Sequence, residues 1–128
     1  MNQNITMITV ALALAVFDVV TGYVAAIKNG DLNSSVMRAG LWSKLGEVFA
    51  IVVAFAIEFA VSFYGDAFIH VALDIPVTTG VCAYITVYEL TSIIENIGKL
   101  NPDLGKWLVN TIGIDPAKVG LKEVKNND

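Results

Sequence analysis

Three stretches of this chain are long and apolar enough to cross a lipid bilayer, and that constrains what it can fold into more than any other feature. They cover residues 5–27, 45–64 and 77–97. Each is about 20 residues, the length at which a helix rising ~1.5 Å per residue crosses ~30 Å of hydrocarbon. Composition agrees: 55% of the residues are hydrophobic and only 16% are charged, against about 25% charged in a soluble domain. The chain is too poor in polar side chains to coat itself against water. Its 128 residues allow one domain. The first run is too long for the apolar part of a cleaved secretory signal, about 7–15 residues, and "MNQNIT" at its start has no Lys or Arg. It therefore reads as a retained helix. The expected fold class is an all-α membrane protein with three transmembrane helices, a membrane domain over 1–97 and a polar tail over 98–128.

The connections are less uniform. Asn29-Gly30 reads as a turn. Asn33, Ser34 or Ser35 can cap a short helix carrying Val36, Leu41 and Trp42. That helix is amphipathic and basic, which suits the membrane interface, although an ordinary polar connection fits as well. Residues 65–76 form either a loop or part of a third helix kinked at Pro76. In the tail, Trp107 is a candidate interfacial anchor, and the stretch from Lys118 onward reads as frayed. Basic residues set the orientation. Lys28, Arg38 and Lys44 lie between the first two spans, and Lys99, Lys106, Lys118, Lys122 and Lys125 follow the third, while the N-terminus and the second connection have none. The N-terminus is thus expected outside and the tail in the cytoplasm.

The first span, "ALALAVFDVVTGYVAA" over 11–26, carries Asp18 in its middle. An acid at a helix centre costs about 2.5–3.5 kcal/mol to insert. Eleven Ile, Leu, Val and Phe residues in the same run offset it, at about −0.3 to −0.6 kcal/mol each. The acid must still face something other than lipid. At about 100° per residue, Ala11, Ala15, Asp18, Gly22 and Ala25 share a stripe of small residues that lets helices approach closely. Glu47, Ala50, Ala54, Glu58 and Gly65 share a face of the second helix, and Thr78, Cys82, Thr86, Glu89, Ser92 and Asn96 one of the third. Asp18, Glu58 and Glu89 are the candidate intramembrane polar residues, and Ala11, Ala15, Gly22, Ala50 and Ala54 the candidate packing residues. Glu47 and Glu95, near helix ends, are expected to reach the headgroups. The polar faces can be hidden inward in one copy, or turned by many copies toward a shared wet lumen.

Other classes fit poorly. The net charge of −4 disfavours nucleic acid. Cys82 is the sole cysteine and His70 the sole histidine, so neither a disulfide framework nor a metal site is expected. No phosphate loop, nucleophile elbow or HExxH motif is present, so neither an enzyme nor a cofactor is expected.

The stretch "DVVTGYVAAIKNGDLNSSVMRAGLWSKLG", with Asp18, Thr21, Gly22, Lys28, Asn33, Ser34, Ser35, Arg38, Gly40 and Lys44, resembles the start of the phage lysis and toxin-secretion holins of Gram-positive bacteria and their phages. "YELTSIIENIGKLNP", with Glu89, Ser92, Glu95 and Asn96, is similar to a later motif of that family. The likeness covers about residues 10–105. Glu58 matches only approximately an acid, often Asp, near the end of that family's second helix. The resemblance implies a non-enzymatic protein that accumulates in the bacterial cytoplasmic membrane, self-associates there and permeabilises it at a set time. It would release an endolysin, served indirectly, or a toxin. The alternatives are an antiholin and a small ion or proton channel subunit.

Overall fold

The computed structural model describes residues 3–64 and 76–120. They form four α-helices and a short 3-10 turn, with no strand among them: α1 (Gln3–Asn29), α2 (Ser34–Tyr64), α3 (Val77–Leu100), α4 (Pro102–Ile112) and the turn Pro116–Val119. The first three are long and apolar enough to cross a membrane. Pro76 stands at the N-cap of α3. Whether 65–75 form a loop or a helical extension lies outside the described residues, as does Gly65 on the expected face of α2.

The ends of these helices follow from local chemistry. α1 stops at Gly30, whose φ of 71° favours a residue without Cβ. The Gly30 N–H donates to the Ile27 carbonyl and the Asp31 N–H to that of Ala26, a Schellman closure. Asn33 then starts α2, its Oδ1 accepting from the Ser35 N–H at 3.0 Å and the Ser35 hydroxyl at 2.6 Å. The helix expected in the first connection is present, and it runs without a break into the second span. Nothing between 34 and 64 stops it: the stretch has no proline, and isolated glycines such as Gly40 and Gly46 cost only about 1 kcal/mol each.

α1 and α3 run parallel, and α2 runs antiparallel to both. Asn4 of α1 and Thr78 of α3 meet Glu58, late in α2. At the other end Lys28 of α1 reaches the last carbonyls of α3. α1 and α3 lie close, so that a Cβ on Gly22 would come within 3.3 Å of Asn96. Ala11, Ile51, Cys82 and Ile85 form the core where the three helices meet. The outward faces carry Val16, Phe17, Val20, Phe49, Val52, Phe63, Tyr84 and Val87, all exposed. Such a surface belongs in lipid or against other copies.

The third helix extends to Leu100, past residue 97, the expected end of the membrane domain. Asn101 caps the start of α4, accepting from the Leu104 N–H at 3.2 Å, with Pro102 in the first turn. The tail is ordered further than its composition suggests. Val109 and Val119 are fully buried against Ile94, so the chain folds back on α3 through Val119, and Lys118 to Gly120 are not frayed. The rest of the stretch expected to fray lies outside the described residues. Trp107 is exposed on α4.

Candidate functional site

The three spans are joined through one lysine. Lys44 of α2 places its ammonium 2.9 Å from Asp18 Oδ2 of α1, on both carboxylate oxygens of Glu89 of α3, and 3.7 Å from Glu47 Oε1 one turn along α2. The Tyr88 ring lies beneath it, 5.9 Å from ammonium to centroid. The cluster is nearly dry: side-chain exposure is 15% for Lys44, 12% for Asp18, 14% for Glu47 and 0% for Glu89.

A second layer fixes Asp18. Its Oδ1 accepts from Asn96 Nδ2 at 3.0 Å, and Asn96 also donates to Thr21 Oγ1 at 3.2 Å. The Thr21 hydroxyl donates back to the Asp18 carbonyl at 3.1 Å. The close α1–α3 approach at Gly22 makes this reach possible, because any larger residue would press on Asn96. Three carboxylates thus surround one ammonium, each supplied from a defined helical position. Glu47 Oε2 is buried without a hydrogen-bond partner among the described residues. Two clefts approach the cluster. One, of about 450 Å³, opens between α1, the beginning of α2 and the end of α3, and reaches Asp18, Lys44 and Asn96. The other, of about 560 Å³, lies between α2 and α3 and is lined by Glu47, Ala50, Gly80, Tyr84 and Tyr88.

Glu58 is not part of this cluster. It sits at the opposite end of the bundle, where Oε1 accepts from the Thr78 N–H at 2.7 Å and Oε2 from Asn4 Nδ2 at 3.2 Å. It caps a helix whose own N-cap residue, Pro76, has no side-chain acceptor to offer. Thr78 Oγ1 beside it is buried and unpartnered among the described residues. Lys28 does the complementary work at the far end of α3, donating to the carbonyls of Lys99 at 3.4 Å and Leu100 at 2.5 Å.

Of the packing residues, Ala11, Ala15 and Ala54 are buried, and Gly22 lies against Asn96 where α1 meets α3. Ala50 does not face inward. Ile51 is buried instead, because the inward stripe of α2 is 44-47-51-54-58 and Ala50 falls at its rim. Ser92 and Gly40 line the first cleft. Ser34 and Arg38 are exposed on the first turns of α2. Glu95 pairs with Lys99 at 2.9 Å on an exposed face. Glu47 turns into the bundle toward Lys44 and does not reach outward to the headgroups. Sequence patterning also misses the inward role of Lys44, which stands one residue before the apolar run and reads as a loop charge. The signal that finds both is the spacing from 44 to 58, which puts Lys44, Glu47 and Glu58 on one stripe. No group of His, Cys, Asp and Glu among the described residues is placed to hold a metal ion.

A family model described as the bacteriophage holin family matches residues 1–114 of the chain. No curated protein and no solved structure matches it.

Proposed function

The chain belongs to the bacteriophage holin family and is a multi-pass protein of the bacterial cytoplasmic membrane, and from that premise we propose that it self-assembles there and permeabilises the membrane at a set time, releasing an endolysin or a toxin. One observation carries this reading. Each span keeps a polar face, and all three are turned inward around Lys44, while the outer surface is apolar. A bundle of this kind is compatible with lipid while closed. When copies accumulate, the same faces can be turned toward water, lining an opening with Asp18, Lys44, Glu47 and Glu89. Collapse of the membrane potential favours such a change if these charges move through the field, since one charge across 100 mV is worth about 2.3 kcal/mol.

The orientation in this reading follows the positive residues. Lys28, Arg38, Lys99, Lys106 and Lys118 gather at the end of the bundle that holds the first connection and α4, which favours a cytoplasmic location for that end.

The test is inducible expression in a bacterium with a cytosolic endolysin. Abrupt death with release of the enzyme is the expected result. A second reading, a small ion or proton channel subunit, draws on the cleft that leads to the buried charges. It forecasts slow depolarisation with the enzyme retained. An inert protein that delays a functional holin would mark an antiholin. Asp18→Leu is expected to advance the onset of lysis at matched expression, because the closed bundle loses the Lys44–Asp18 ion pair, one of the contacts between α2 and α1. Unchanged timing would refute that role.

A further inference from the structure

We propose that the face of the α1–α3 pair that holds α2 is also the self-association surface, taking α2 from a second copy of the chain in place of its own. This rests on the self-assembly reading above and names the contact through which assembly occurs.

The three helices are not equally bound. α1 and α3 meet along a stripe of small residues, with Ala11, Ala15 and Ala25 buried and Gly22 against Asn96. α2 is different. Among its residues of described burial, only Ile51 and Ala54 are buried hydrophobics. Clefts of about 450 and 560 Å³ run along its two flanks. It is held at two separated points by polar contacts: Lys44 to Asp18 and Glu89 near one end, and Glu58 to Asn4 and the Thr78 N–H near the other. Between them Ile51 fills the core beside Ala11, Cys82 and Ile85.

Charge complementarity identifies the occupant. A lysine that leaves its carboxylates inside a bilayer must find others at the same depth. Acyl chains have none. A second copy presents Asp18 and Glu89 at that depth, with an identical seat for Ile51 and an identical α3 N-terminus awaiting a carboxylate. Exchange therefore replaces every contact α2 gives up, and lipid cannot. It also makes assembly depend on density, because the intramolecular and intermolecular seats are chemically the same and only the number of neighbours favours the second.

Cys82, the chain's sole cysteine, lies beside Ile51 in the core and reports on the exchange. A chain carrying Ile51→Cys and Cys82→Ala is co-expressed with a differently tagged wild-type chain, and isolated membranes are oxidised. A disulfide-linked pair containing both tags is expected, rising several-fold as expression approaches the lytic level. Two controls should stay at background. Val53→Cys with Cys82→Ala faces outward, since Val53 is 56% exposed. Ala11→Cys with Cys82→Ala reports on the α1–α3 seam, which stays within one chain. Ile51→Cys alone should close a bond to its own Cys82 at low expression, showing that the variant folds. Lysis with only that internal bond at every expression level overturns the exchange and leaves the holin reading standing. A mixed pair no more abundant than in either control also overturns it. A mixed pair in cells that never release the endolysin supports the exchange and defeats the holin reading.

Discussion

Among single side chains, Lys44 is the one that ties all three spans together. Glu89 is fully buried and Asp18 and Glu47 nearly so, and the lysine is the cation shared by all three. A buried ion pair contributes little net stability, since desolvation offsets the attraction, but removing one partner strands the others. Lys44→Met leaves three carboxylates uncompensated and is expected to cost about 3–5 kcal/mol. Thermal unfolding of the detergent-solubilised protein reads this as a lowered midpoint, which Lys44→Arg should largely restore. Asp18 is legible in the sequence because a carboxylate amid aliphatic residues must face something other than lipid. Lys44 is not, because composition assigns a charge next to an apolar run to the connection. Only the continuity of α2 across that boundary reveals where the side chain goes. Ala50 misleads for a related reason: small size marks a residue able to pack closely, while the direction it faces depends on the whole stripe, which Lys44 and Ile51 pull to one side.

Among the helices, α3 is finished by its neighbours. An N–H of its first turn is taken by Glu58 of α2 and its C-terminal carbonyls by Lys28 of α1. Each contact puts the favourable sign of charge at a helix end. Glu58→Ala is expected to cost about 0.5–2 kcal/mol and to speed amide exchange in the first turn of α3, leaving the last turn unchanged. Lys28→Met should do the reverse, loosening the turn at Leu100. If either variant accelerated exchange uniformly along α3, the contacts would be general packing and not caps. The existence of the three spans can be read from apolar runs, since bilayer thickness sets their minimum length, but the continuation of α2 back to Ser34 cannot. The caps cannot, because each links residues far apart in the chain. The tail illustrates the same limit. A short amphipathic segment after a span gives no sign of its partner, and only the burial of Val109 and Val119 on Ile94 shows that it folds back.

For the molecule as a unit, three crossings force the two termini apart, and the basic side chains say which goes where. Among the described residues, the cations at the end formed by the first connection and α4 are Lys28, Arg38, Lys99, Lys106 and Lys118. The opposite end, where Asn4, Glu58 and Thr78 meet, has no lysine or arginine among the described residues. Positive residues near span ends are retained in the cytoplasm, so the N-terminus should lie outside and α4 inside. The folded-back tail adds weight to this, because α4 and the turn at Pro116–Val119 pack on α3 and carry Asp103, Lys106, Asp115 and Lys118 with them, and hydrocarbon would not accept those charges there. A green fluorescent protein fused after Asp128 should therefore fluoresce, while alkaline phosphatase at the same place should be inactive. An Asn2→Cys variant in the Cys82→Ala background should react with a membrane-impermeant maleimide in intact spheroplasts before lysis begins. Active phosphatase with an unlabelled N-terminus would invert the orientation. Both ends reporting the same compartment would mean an even number of crossings, and the inward gathering of three polar faces around Lys44 would then lose its place in the membrane.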